Sequence, residues 1–360
     1  MIYARIRKHC PERPGAAAFT LDAEFKTAPG VTVLYGPAGA GKTLTLDAIA
    51  GSARPDEGRI LVDDAILYDG AAGVHLPPQK RNCGYVVRNA ALFPHMTLRQ
   101  NLEFAAERRP RLDRHRRVNE TIGRFRLADA AALRPHQLTA AQRQRGAIAR
   151  ALIAEPGALL VDEPARGLEA VARREIHDII RQVRAEFGIS VLVATHDIDE
   201  CLELGDEMLV LREGRILQSG APSRLIEQPA NIEVARLLGV FNLLPIEIVA
   251  LDPTRDTSRY RLAGHELSGP YFPGRLLGDR VYLCVRPDQL LALPRNGRPG
   301  PNQLPARLLR VIERAESFRL DFEGDISVQL PRQEFERYKH NKEWVVEFPG
   351  EGVRVVGSGR

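Results

Sequence analysis

Apolar positions along the chain fall into two rhythms that change with position. The runs Val31-Thr32-Val33-Leu34-Tyr35, Ala158-Leu159-Leu160-Val161 and Ile189-Ser190-Val191-Leu192-Val193-Ala194 are short and nearly continuous, which predicts strands buried on both faces. Helical patterns such as Leu44–Ala50 stand between such runs from about residue 20 to 215. That alternation predicts a mainly parallel sheet covered by helices. Between about 95 and 153 helix follows helix, which reads as a helical subdomain inserted into the α/β core. After Gly220-Ala221-Pro222 one more helical stretch runs to about Gly239. Short β-like segments then take over: Leu244–Ala250, Arg259–Leu262, Arg280–Arg286, Ala306–Ile312, Ser317–Phe322, Ile326–Leu330 and Trp344–Phe348. Asp252-Pro253, Ser268-Gly269-Pro270 and Glu323-Gly324-Asp325 read as turns between them, and Pro294–Pro305 as a loop. A small C-terminal β-barrel fits this pattern.

Composition adds bounds. At 360 residues, with 44% hydrophobic and 27% charged side chains, the chain is ordinary for two globular domains. No apolar stretch approaches the roughly 18–20 residues of a membrane span. Met1–His9 lacks the apolar core of a secretory signal. A cytosolic protein is expected, its membrane role supplied by a partner. Cys10, Cys83, Cys201 and Cys284 are scattered without a C-x-x-C pair, which suggests neither zinc nor a disulfide framework. The net charge of +5 is mildly basic, and much of the local excess lies in Arg108–Arg117. Such a run can meet nucleic acid or anionic lipid, but it reads better as a solvated helix face, and no aromatics interleave with its arginines.

Chemistry enters at Gly36-Pro37-Ala38-Gly39-Ala40-Gly41-Lys42-Thr43, a full match to the phosphate-binding loop. It lies between a predicted strand and a helix opened by Leu44, the context that motif requires. Glycines let successive N–H groups point inward at phosphate oxygens, and the helix N-terminus adds partial positive charge. Lys42 is expected on the β- and γ-phosphates and Thr43 on Mg²⁺. The strand Ala158–Val161 ends in Asp162 and Glu163, placed to hold Mg²⁺ and to polarise an attacking water. The strand 189–194 runs on through Thr195 to His196, at the edge where an α/β sheet presents groups to ligands.

The order of these motifs, with Gln142-Arg143-Gln144-Arg145-Gly146-Ala147-Ile148-Ala149-Arg150-Ala151-Leu152, resembles the nucleotide-binding subunit of ABC transporters over roughly residues 20–235. Leu67–Arg81, Gly84-Tyr85-Val86-Val87 and Leu92-Phe93-Pro94-His95-Met96-Thr97 look like the molybdate-importer branch. Phe241-Asn242-Leu243-Leu244 and Val285-Arg286-Pro287-Asp288 are similar, more loosely, to the OB-like regulatory domain of oxyanion importers. The resemblance implies an α/β P-loop core of ABC type over 1–235, with the helical subdomain inserted, and an OB-like β domain over 240–360. It implies ATP and Mg²⁺ as cofactors and a second ATPase subunit packed head to tail. It also implies a membrane permease, an external solute-binding protein acting indirectly, and a place on the cytoplasmic membrane face. The implied roles are Lys42 on phosphate, Thr43 and Asp162 on Mg²⁺, Glu163 as base and His196 as γ-phosphate sensor. The C-terminal domain is expected either to bind oxyanion or to help the dimer pair.

The chain departs from the family at three places. The signature LSGGQ is here Leu138-Thr139-Ala140-Ala141-Gln142, which keeps the hydroxyl and the glutamine but sets two methyls where backbone must approach the partner's phosphate. The glutamine expected after Val87 is Arg88, which has no lone pair for a metal and is free to pair with γ-phosphate or a partner's acid. The segment after Pro164 reads Ala165-Arg166-Gly167-Leu168-Glu169 instead of LSALD. Two readings follow: a working but slow importer ATPase, or an ATP-binding regulatory or structural subunit that closes but barely hydrolyses. A DNA-repair type of ABC ATPase lacks the coiled-coil heptads it would need, so no nucleic-acid partner is expected. Phe19 and Tyr3 are both candidates to stack on adenine.

Overall fold

A computed structural model describes the chain except Arg13, Ala16, Ala28, Pro29, Arg108, Arg109, Asn296 and Ser358–Arg360. Two compact units result, Met1–Leu225 and Ile226–Arg360.

In the first unit the apolar runs form the strands Val31–Tyr35, Ala158–Asp162 and Ser190–Thr195, buried at every position. They lie at the centre of a six-stranded sheet in the order 215–220, 207–212, 31–35, 190–195, 158–162, 83–86. All neighbours are parallel except Arg215–Gly220, which pairs antiparallel with Glu207–Arg212. The register sets Tyr35 beside Thr195, Asp162 beside Ala194 and Val86 beside Val161. Four parallel strands thus end level with one another. The expected helical subdomain is present as Leu98–Ala105, Arg111–Arg124 and Ala140–Leu152.

The basic run falls on the second of these helices, apart from Arg108 and Arg109, which lie outside the described residues. Arg116 pairs there with Asp113 and Glu120, and Arg117 with Asp113 and Glu155. Those pairs tie Arg116 and Arg117 to carboxylates on the same helix and at Glu155.

A five-stranded antiparallel sheet was not anticipated. Its order is Phe19–Lys26, Ile2–Cys10, Glu57–Val62, Ala65–Asp69, Val74–His75. Its pattern is strict alternation: Ile2, Ala4 and Ile6 are buried while Arg5 and Arg7 are exposed.

The second unit contains three open sheets. One orders strands 265–270, 257–262, 242–252, 280–285 and 354–356; the others hold 291–294, 344–347, 303–306 and 308–313, 317–322, 326–331. They share one apolar core that includes Leu283, Tyr260, Phe322 and Phe348. Among the described residues no sheet closes on itself, so the architecture is a packing of open sheets where a barrel was expected. Ser268-Gly269-Pro270 is strand where a turn was expected. Gly269 allows close approach: a Cβ there would lie 3.1 Å from Tyr260 and 3.3 Å from Val353, tighter than ordinary contact. Part of the expected loop at 294–305 is likewise strand, Gln303–Ala306. The helix Ile232–Leu238 packs Ile232 and Ala235 with Cys284 and Val356, inside this second unit.

Candidate nucleotide site

The level strand ends build the site. Each run of buried apolar residues stops at a polar one, so the sheet edge gathers side chains from distant sequence positions. The loop Gly36–Gly41 leaves the strand 31–35 and enters the helix Lys42–Ala50, with Gly39 (φ +81°) and Gly41 (φ +107°) in backbone conformations closed to most side chains. Gly36 N–H donates to Thr195 O at 3.3 Å, which ties the loop to the neighbouring strand. Leu44 follows on the helix and lines the same cavity.

Thr43 Oγ1 donates to Asp162 Oδ2 at 2.8 Å. The other oxygen, Asp162 Oδ1, is buried without a hydrogen-bond partner. A carboxylate oxygen left unpaired in an interior is costly. Burial raises the Asp162 pKa, while the Thr43 hydrogen bond and the charges of Arg88 and Lys42 oppose that rise. A hard cation held by an orphaned carboxylate oxygen and a hydroxyl resolves the problem, and all-oxygen donors suit Mg²⁺.

Lys42 Nζ donates to Gly36 O at 2.6 Å and Pro37 O at 3.0 Å, and lies 3.9 Å from Glu163 Oε1. Burial lowers its pKa, and the two carboxylates pull the other way. His196 Nδ1 and Glu163 Oε2 are hydrogen-bonded at 2.6 Å. With the carboxylate ionised, Nδ1 carries the proton. Glu163 itself sits at φ +51°, a left-handed conformation unusual for a non-glycine residue. Its N–H is pinned to Ala194 O at 2.8 Å. The strained backbone aims its carboxylate between Lys42 and His196.

These groups surround a cavity of about 370 Å³. Arg88, beyond the strand Cys83–Val86, reaches it, and so does Phe19. Tyr3 does not; its hydroxyl donates to Glu24 at 2.8 Å. The signature residues Thr139, Ala140, Ala141 and Gln142 stand away from the cavity. Thr139 Oγ1 accepts from Gln142 N–H at 3.2 Å and Gln142 Oε1 accepts from Thr139 N–H at 3.0 Å, a reciprocal cap on the helix Ala140–Leu152. Thr139 and Ala140 are exposed at that helix start.

Two residues escaped sequence reasoning. Arg166 lines the cavity; its only signal was its place three residues beyond Glu163. Arg81 is 1% exposed and has no carboxylate partner among the described residues. Its Nη1 donates to Ala48 O at 2.6 Å and Ile49 O at 2.8 Å, and its Nε to Leu76 O at 2.8 Å. It closes the C-terminal end of the phosphate-loop helix, where cations are favoured. Nothing in the local pattern marked this arginine as buried.

The family model "ABC transporter" matches residues 22–166. The molybdenum import ATP-binding protein ModC of Rhodospirillum rubrum is 40% identical over 59% of this chain, and the chain spans 57% of that protein's length. The ModC of Brucella abortus is 38% identical over 75% of the chain and 72% of its own length. The spermidine/putrescine import ATP-binding protein PotA of Marinobacter nauticus is 38% identical over 78% and 72%. Among solved structures, a dimeric ATP-binding cassette in a post-hydrolysis state bound to ADP and Pi superposes with a TM-score of 0.54 and 25% identity, covering 62% of this chain and 99% of that one.

Proposed function

We propose that this chain, which belongs to the ABC transporter family, is the ATP-binding and hydrolysing subunit of an importer and energises solute uptake through a separate membrane permease. The observation that carries the reading is the orphaned Asp162 Oδ1 beside the Thr43 hydroxyl, at the edge of a cavity that also holds Lys42, Glu163 and His196. Thr43 and Asp162 would hold Mg²⁺, whose chemistry is to neutralise phosphate charge. Lys42 exchanges its loop carbonyls for phosphate oxygens. Glu163 takes the proton of the attacking water, and His196, held to Glu163 by the 2.6 Å bond, senses the γ-phosphate.

Thr139–Gln142 serve the partner subunit's nucleotide in a head-to-tail dimer. The dimer works at the cytoplasmic membrane face, and an external binding protein delivers the solute. Among the described residues no helix is long and apolar enough to cross a membrane, which suits a peripheral subunit. We read 1–235 as the nucleotide-binding domain and 240–360 as a regulatory domain of open β-sheets that takes an oxyanion. The solute we favour is molybdate or tungstate, ahead of sulfate, on the ModC likeness; the PotA likeness keeps a polyamine as the second reading.

Single-turnover ATPase measurement on the assembled complex tests the activity: no hydrolysis above a Glu163→Gln control rejects it and leaves an ATP-binding regulatory subunit. Uptake of labelled molybdate against labelled spermidine by cells carrying the intact complex decides the solute.

A further inference from the structure

Two cations in the cavity have no part in the scheme above. Arg88 follows the strand Cys83–Val86, and Arg166 follows the strand Ala158–Asp162 in a tight turn, its N–H bonded to Glu163 O at 3.3 Å. Their side chains come from adjacent strand ends and line the same cavity as Lys42 and Glu163. Both are exposed. Among the described residues neither guanidinium has a hydrogen-bond or ion-pair partner, whereas nearby Arg173 is committed to Asp197 at 2.8 Å. Arg88 is close enough for its charge to act on both Lys42 and Asp162. A guanidinium cannot ligate a metal, so what it can bind here is an anion, and its planar fork matches phosphate oxygens.

We propose that Arg88 and Arg166 together make this cavity discriminate nucleoside triphosphate from diphosphate, each pairing with oxygens of the terminal phosphate. The assignment rests on the reading of the cavity as a nucleotide site. The terminal phosphate is what a diphosphate lacks, and the two uncommitted forks add to Lys42 and His196 as groups that can meet it. Because they bind the ground state, they tighten ATP without speeding its hydrolysis.

Titration calorimetry of the full chain with Mg-ATP and Mg-ADP tests this, using wild type, Arg88→Gln, Arg166→Ser and the lysine variants at both positions. Loss of one charge-assisted contact is expected to weaken ATP about tenfold and leave ADP within about twofold, with the lysine variants in between. Thermal melts confirm folding, which two exposed substitutions should preserve; the lysine variants serve if either does not. Parallel loss of ATP and ADP affinity, or no loss of either, overturns the assignment while nucleotide binding by the wild type upholds the cavity reading. A wild type that binds neither nucleotide overturns both.

Discussion

The strand-end cavity and the helix start at Thr139 are both motif sites, yet they are built in opposite ways. The cavity is a product of topology: Lys42, Arg88, Glu163 and His196 follow four different strands and converge because those strands end level. Beside it lie a buried carboxylate oxygen without a partner, Asp162 Oδ1, and a glutamate in a strained backbone conformation, Glu163. The Thr139–Gln142 segment is a product of local sequence, with its polar groups satisfied by their own reciprocal cap. A site that is internally satisfied holds its shape without a ligand. One that is not draws free energy from the ligand that completes it.

The largest expected effect falls on the strand ends. Glu163→Gln should lower hydrolysis by about a hundredfold to ten-thousandfold while ATP still binds, as read by single turnover beside nucleotide titration. Next comes the helix start. Replacing Ala140 and Ala141 with glycine should raise turnover of the assembled complex about tenfold by relieving the two methyls, at about 1 kcal/mol of helix stability per site. An unchanged rate would mean that the methyls do not obstruct the partner's phosphate. Arg88→Gln should raise the rate about threefold, under 1 kcal/mol of barrier; an equal or slower rate would mean that Arg88 does not favour the ground state over the transition state.

In stability rather than rate, Thr139→Ala should cost about 1 kcal/mol through the lost cap, measured by denaturant unfolding, with nucleotide affinity of the isolated chain unaltered. The smallest effect is pH-dependent and lies between the helices Ala170–Phe187 and Ile198–Leu204, apart from both sites. His177 is buried, its Nδ1 2.5 Å from Glu203 and its Nε2 3.1 Å from Glu200. Burial lowers its pKa, but the hydrogen bonds to both carboxylates outweigh that, and the folded value rises above the ordinary 6.5. Its stabilisation is therefore complete below about pH 6.5 and is lost as pH climbs through the raised folded value. The melting difference between wild type and His177→Gln should shrink with rising pH. A constant difference would mean that the imidazole is not charged in the fold.

Much of the site was legible because Asp162, Glu163 and His196 stand where buried apolar runs stop, and because Lys42 and Thr43 belong to the phosphate-loop motif. Arg166 was not, since only the turn after Glu163 folds it back toward the phosphate loop. The N-terminal sheet was missed although Ile2, Ala4 and Ile6 alternate with charges, because its partners lie at Phe19–Lys26 and Glu57–Val62 and pairing is non-local. Ser268-Gly269-Pro270 misled for a different reason: a glycine chosen for close packing against Tyr260 looks, in sequence, like one chosen for a turn.

The buried Arg81 also fixes what the chain can tolerate. By bonding Ala48, Ile49 and Leu76 carbonyls it pins together the two ends of the segment from Gly51 to His75, which becomes a closed loop. Lengthening such a loop costs little, because closure entropy grows only logarithmically with length. The exposed turn at Gly70–Gly73 is therefore a natural place to accept inserted sequence. Losing the clasp opens the whole segment, so Arg81 is where drift is least affordable and the turn is where it is freest.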